Sequence, residues 1–230
     1  MPDSFRSQQQ KFPRVKTAYN EKEKLVKDLF SSKGIDVAHM DLFIRVFKKE
    51  MQLEVWAKSP KEHKFKFITT YAVCASSGTL GPKRKQGDGQ VPEGFYDIER
   101  FNPSSNFYLS LGVSYPNASD KILGEKGNLG GDIFIHGNCV TIGCMPLTDD
   151  KIKEVYLMAV EAKVNGGKIP IHIFPCRMND TGMKFLEEKY QGKTQLISFW
   201  KNIQRGYEYF EQNRLVFQVK VDSKGEYVYD

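Results

Sequence analysis

The rhythm of apolar and polar positions changes several times along this chain, and each change predicts an element. Phe43-Ile44-Arg45-Val46-Phe47 and Gln52-Leu53-Glu54-Val55-Trp56-Ala57 alternate with period two around Lys48-Lys49-Glu50, which predicts a hairpin. Residues 65–74 continue it as a third strand. Ahead of them, Leu25, Val26, Leu29 and Phe30 repeat at helical spacing. Asn20 with Glu23 three residues on reads as the start of that helix, and Gly34 as its stop. Residues 76–94 lose all rhythm and turn to Gly, Pro, Lys and Gln, predicting a long loop of the kind found beside active sites. Strand character returns at 94–100 and 107–113, and a second loop over 115–131 leads into a strand at 133–135.

Downstream, Ile152, Val155, Tyr156, Ala159 and Val160 share one helical face, predicting a helix from Lys151 to Asn165. Thr148-Asp149-Asp150 caps it and Gly166-Gly167 ends it. Residues 169–174 read as a strand. Leu196, Phe199, Trp200, Ile203, Tyr207 and Phe210 form the apolar stripe of a last helix, an aromatic stripe that reads as core packing. Segments 215–221 and 226–229 around Ser223-Lys224-Gly225 predict a closing hairpin. There is no internal repeat. The sum is an α+β, β-rich assembly with about three helices.

Composition narrows the class without naming a chemistry. At 230 residues, 40% apolar and 27% charged, the chain suits one sizeable core and neither a disordered segment nor a membrane bundle. No segment approaches the apolar length that spans a bilayer, and the first ten residues lack the apolar core of a signal peptide. The expectation is a cytoplasmic protein, or one whose targeting segment is removed ahead of this chain. A net charge of +6 suits a polyanionic or carboxylate-rich partner. The compact basic cluster Lys83-Arg84-Lys85 and the looser Lys11, Arg14 and Lys16 lack the interleaved aromatics of a single-strand binder, so no nucleic acid is expected. Four cysteines, at 74, 139, 144 and 176, do not make a disulfide scaffold. Cys74 reads as a small buried strand residue and Cys176 closes another strand, with one bridge among Cys74, Cys139 and Cys176 left open.

The chemistry concentrates in Ile133-Phe134-Ile135-His136-Gly137-Asn138-Cys139-Val140-Thr141-Ile142-Gly143-Cys144. An imidazole and a thiol within one short loop can work together, the thiolate attacking and the imidazole taking its proton. Gly143 permits a sharp turn, so the Gly143 and Cys144 amides are candidates for an oxyanion hole. The Gly137 carbonyl is a candidate acceptor for His136 Nδ1–H, which would fix the tautomer. The competing reading is a zinc-stabilised binding module using His136, Cys139, Cys144, His172 and Cys176. Its spacing matches no common finger, because no Cys-x2-Cys pair exists, so a site without metal or cofactor is expected. Cys139 reads as packing, and it is the main rival to Cys144 as nucleophile.

At these residues the chain resembles the YkuD-type L,D-transpeptidase family, in particular its YafK-like branch. His136-Gly137 ending a strand and Thr141-Ile142-Gly143-Cys144 are similar to the family's His-Gly and Ser/Thr-x-Gly-Cys motifs. Val91-Pro92-Glu93-Gly94-Phe95-Tyr96 resembles its Thr-Pro-x-Gly-x-Phe/Tyr strand. Asn102-Pro103-Ser104-Ser105, Leu109-Ser110-Leu111 and Ser114-Tyr115-Pro116-Asn117 look like the branch specifically. The likeness covers roughly residues 65–175. Two features depart from many members: the His-Gly to Gly-Cys loop is short, and Met145-Pro146-Leu147-Thr148 follows the cysteine in place of a nearby Arg or Asn.

The resemblance implies a YkuD-like β-sheet sandwich or barrel with peripheral helices. It implies an N-terminal helical segment over 1–40, a catalytic domain over 41–180, and a C-terminal helix and hairpin over 181–230 packed on the same domain. It implies a cysteine-dependent acyl transferase that forms a thioester at Cys144 with a peptidoglycan stem peptide. His136 would be base and then acid, the Gly137 carbonyl its orienter, and the Gly143 and Cys144 amides the oxyanion donors. Thr141, Asn138 and Tyr115 would be substrate contacts. A hydrolytic relative, an L,D-carboxypeptidase or an amidase cutting cross-links or protein–peptidoglycan links, is the alternative. The implied place is the periplasm or cell envelope, with no membrane insertion of this chain.

Overall fold

The computed structural model describes residues 4–164 and 166–229. In chain order its elements are α1 (Phe5–Gln10), α2 (Pro13–Ser31), β1 (Asp41–Phe47), β2 (Gln52–Lys58), β3 (Lys66–Ala72), β4 (Gly94–Asn102), β5 (Ser110–Val113) and α3 (Ala118–Leu123). There follow β6 (Phe134–His136), β7 (Met145–Pro146), α4 (Asp149–Val164), β8 (Pro170–Phe174), α5 (Asp180–Lys189), α6 (Thr194–Asn213), β9 (Lys220–Val221) and β10 (Tyr227–Val228). The α+β, β-rich expectation holds, with six helices among the described residues in place of about three.

The extra helices are the short α1, α3 and α5, and the predicted α2 and α4 differ from expectation at their ends. α2 begins with Pro13 at its first turn, where a missing N–H costs nothing, and Asn20 lies inside the helix. α3 hides in the second predicted loop, closed by a capping box in which the Asn117 side chain takes the Asp120 amide and Asp120 takes the Asn117 amide. α4 closes at Val164, and its expected end, Asn165, lies outside the described residues.

Eight strands make one mixed sheet in the order β3-β2-β1-β8-β4-β5-β6-β7. The 43–57 hairpin forms as its alternation predicts, with Ile44 opposite Val55. Alternate side chains point to opposite faces, and both faces are covered. Leu42, Ile44 and Val46 join the core beneath α2 and α4, while Phe43 and Phe47 face the C-terminal elements, where Trp200, Ile203, Tyr207, Phe210 and Tyr227 are buried. β9 and β10 form the small closing hairpin.

The outer strands of this order, β3 and β7, do not stay apart. Just past β3, the Cys74 amide donates to the Pro146 carbonyl of β7 at 2.9 Å. Cys74 also forms a disulfide with Cys139, which lies between β6 and β7. The sheet therefore curls until its two edges meet, which gives the barrel-like form. Cys74 is thus a cross-link and not a packing residue.

Candidate active site

The site is built at the β6–β7 edge. His136 ends β6 and pairs in parallel register with Pro146, and Ile135 pairs with Met145. Cys144 directly precedes β7, so the seven-residue loop between the motif residues returns the chain one strand over from its histidine. The close packing around Gly137 explains why nothing larger stands there. A Cβ at Gly137 would lie 2.6 Å from Asp149 Oδ1 and 2.9 Å from the Phe107 carbonyl. Gly143 has φ +109°, a backbone state that L side chains avoid, and a Cβ there would be 3.0 Å from the Gln90 carbonyl.

His136 is 1% exposed, and its Nδ1 lies 2.5 Å from the Gly137 carbonyl. A carbonyl oxygen only accepts, so Nδ1 carries the proton and Nε2 is the basic nitrogen. The Phe107 ring lies against the imidazole, tilted by 32° with centroids 4.6 Å apart. Burial lowers the imidazole pKa, opposed by the Gly137 hydrogen bond. Cys144 is a free, half-buried thiol that donates to the Asp132 carbonyl at 3.5 Å. Burial raises its pKa, against the pull of the Phe134 backbone. Burial thus favours the neutral form of each group, thiol and imidazole alike.

Several expected roles are placed differently. The Gly143 amide donates to Ser77 Oγ at 2.7 Å, and the Cys144 amide donates to Thr141 Oγ1 at 2.8 Å. Both candidate oxyanion donors are occupied in this state. The Thr141 hydroxyl in turn donates to the Cys144 carbonyl at 2.9 Å, so it braces the loop and does not project as a substrate contact. Tyr115 is 5% exposed, its hydroxyl directed at the Leu129 and Lys83 carbonyls, which removes it from any surface a substrate could reach. Asn138 is exposed, with a positive φ, and its amide is held by Asp149 Oδ1 at 2.8 Å. Cys139 is bonded to Cys74 and cannot be the nucleophile in this state, which removes the rival to Cys144.

The residues of the zinc reading do not converge. Cys139 has no thiolate to offer, and His172 and Cys176 belong to β8 and the segment after it, buried toward α6. Among the described residues no three His, Cys, Asp or Glu side chains are grouped as a metal site. The basic cluster is neutralised from within: Lys83 meets Asp88 at 2.6 Å and Arg84 meets Asp120 at 3.4 Å. Sequence reasoning missed Ser77, Phe107, Asp132 and Asp149. Only Asp149, in a predicted cap, carried a signal.

The family model for the L,D-transpeptidase catalytic domain (YkuD) matches residues 41–173. The Escherichia coli (strain K12) protein YafK, whose name assigns it L,D-transpeptidase activity only provisionally, is 36% identical over 190 residues, covering 81% of this chain and 73% of that protein. The helical cell shape determining protein Pgp2 from Campylobacter jejuni is similar with a TM-score of 0.48 at 18% identity, over 80% of this chain and 73% of Pgp2. Bd1075 from Bdellovibrio bacteriovorus gives a TM-score of 0.43 at 22% identity, over 76% of this chain and 58% of its own.

Proposed function

The chain belongs to the YkuD family of L,D-transpeptidase catalytic domains, and from that membership and the site geometry we propose that it is a cysteine acyltransferase acting on peptidoglycan stem peptides. One observation carries the reading: Cys144 is the free thiol that is not fully buried, one strand from an imidazole whose Nδ1 is bound to a carbonyl and whose Nε2 is basic. Cys144 Sγ attacks the carbonyl at the L-centre of a stem peptide while its proton passes to His136 Nε2. The tetrahedral intermediate collapses to a thioester as the imidazolium protonates the leaving amine. An amine acceptor then takes the acyl group, with His136 as base. In this reading residues 41–180 form the catalytic unit, carrying the N-terminal helices on one face and the segment from 181 on the other. Asn138, exposed in the loop, remains the substrate contact of choice.

The envelope is the fitting compartment, because the substrate lies there and because the Cys74–Cys139 disulfide persists in an oxidising space. The test is mass spectrometry of the intact protein after exposure to a carbapenem acylating agent. One adduct, mapped to Cys144 and absent from Cys144→Ala, is the expected result, and an adduct at Cys176 or none at all would overturn the nucleophile. Purified muropeptides then report the acceptor. A cross-linked product mass supports transfer, whereas free, water-added products would replace it with the hydrolytic alternative.

A further inference from the structure

The hydroxyl on the Gly143 amide does not come from the catalytic loop. Ser77 lies 66 positions away, in the long unpatterned loop between β3 and β4. Its Oγ accepts from Gly143 N–H at 2.7 Å and donates to the Gly89 carbonyl at 2.9 Å, bridging two stretches of backbone. The Cys144 amide is different, because Thr141 holds it from inside the same turn through two reciprocal bonds. Releasing the Cys144 amide would dismantle the turn that presents the thiol. Releasing the Gly143 amide needs only that one serine rotate.

The cavity that Cys144 lines with Ser76, Val91 and Met145 holds about 10 Å³, roughly one water. The Ser77-bearing loop adjoins it through Ser76. That loop is anchored at its far end: buried Glu93 accepts from Lys48 and Trp200 side chains and from the Gly81 amide, all within 2.8 Å.

We propose that Ser77 is a positioning residue for acyl transfer: its Oγ occupies, at rest, the acceptor position on Gly143 N–H that the oxyanion takes when Cys144 attacks. The inference rests on Cys144 being the acylated nucleophile. As sulfur bonds to the carbonyl carbon, the carbonyl π pair moves to oxygen, and that oxygen replaces Ser77 Oγ on the Gly143 amide. The serine keeps the amide aimed and satisfied between turnovers, and its departure is part of the cost of acylation.

A net hydrogen bond of this kind amounts to a few-fold to tenfold in rate. The experiment compares two reactions of Cys144 in the full chain, carbapenem acylation, which passes through an oxyanion, and iodoacetamide alkylation, which does not. Ser77→Ala is expected to acylate two- to tenfold faster with alkylation unchanged, and Ser77→Thr, which restores a hydroxyl, to return acylation toward the wild-type rate. Equal acceleration of both reactions would mean a merely loosened loop and overturn the proposal, as would unchanged or slower acylation in a Ser77→Ala protein of native melting temperature. A wild-type chain that alkylates at Cys144 but never acylates would instead overturn the transferase reading itself.

Discussion

The molecule carries two strand ends where a buried histidine is followed by a cysteine, and they differ in almost everything but that. At the β6–β7 edge, His136 has a carbonyl on Nδ1, a phenyl ring against one face, and a free half-buried thiol one strand away. At β8, His172 is equally buried, yet neither ring nitrogen has a hydrogen-bond partner. Phe43 and Phe95 stand edge-on at 4.6 Å, with Phe217 at 5.5 Å. Burial, helped by Arg45, holds its pKa well below the ordinary value. Cys176 beyond it is fully buried, its thiol pushed up to about 12 by burial and by Glu50. The difference teaches that a histidine becomes a base when one nitrogen is tied and the other left to the reaction. Wrapped in rings, the same side chain is held neutral and inert.

The largest effect expected from this contrast is kinetic. His136→Gln keeps a hydrogen-bonding side chain at the Gly137 carbonyl but supplies no base, so carbapenem acylation of Cys144 should slow by about 10²–10⁴-fold. His172→Phe should leave the acylation rate within about twofold, since no β8 group reaches the thiol. A comparable loss from His172→Phe would erase the distinction between the two ends.

How much of this was legible in sequence divides along the same line. The 43–57 hairpin and the α6 stripe could be read because their signal is local and periodic. His136 and Cys144 could be singled out because one short loop holds both. The closure of the sheet could not, because it depends on Cys74 meeting Cys139 and Pro146 across 65 and 72 positions. β7 is two residues long and has no periodicity to show. Only the family resemblance implies Tyr115 as a substrate contact, and packing turns its hydroxyl inward. Ser77 sits in the loop that composition flagged, but nothing marks it apart from its neighbours Ser76 and Gly78.

The second effect is on stability. The reactive end is stapled by Cys74–Cys139, with a sequence separation of 65, whereas Cys176 is unpaired. Chain-entropy arguments put a loop of that length at about 4 kcal/mol, an upper figure. Cys74→Ala with Cys139→Ala should lower urea-unfolding stability by about 2–4 kcal/mol and slow Cys144 acylation, because Cys139 lies in the loop between the two motif residues. Reducing agent should reproduce the loss in the wild type and add nothing in the double variant. Equal stability of the two proteins under oxidising conditions would show that sheet closure does not depend on the staple.

The smallest effect is a slope, and it reads the inert end directly. An unfolded histidine takes up its proton near pH 6.5, while folded His172 stays neutral far below that. Below pH 6.5 the unfolded state thus binds more protons, so the stability that neutral His172 permits is lost as the pH falls. One such group contributes up to about 1.4 kcal/mol per pH unit. His136, also shifted down, adds in the same sense over a narrower range. Asp120, whose carboxyl burial lifts to about 6, opposes them, since its folded form takes up a proton first. The raw profile is therefore a sum, and the difference between proteins isolates one term. Urea unfolding of His172→Phe between pH 7 and 5 should show a slope shallower than wild type by a fraction of a proton near pH 7, growing toward one proton at pH 5, with stability at pH 7 changed by less than about 1.5 kcal/mol because a phenyl ring fits among phenyl rings. If the two slopes coincide, His172 is protonated inside its cage, and the β8 end is a second reactive histidine rather than a silent one.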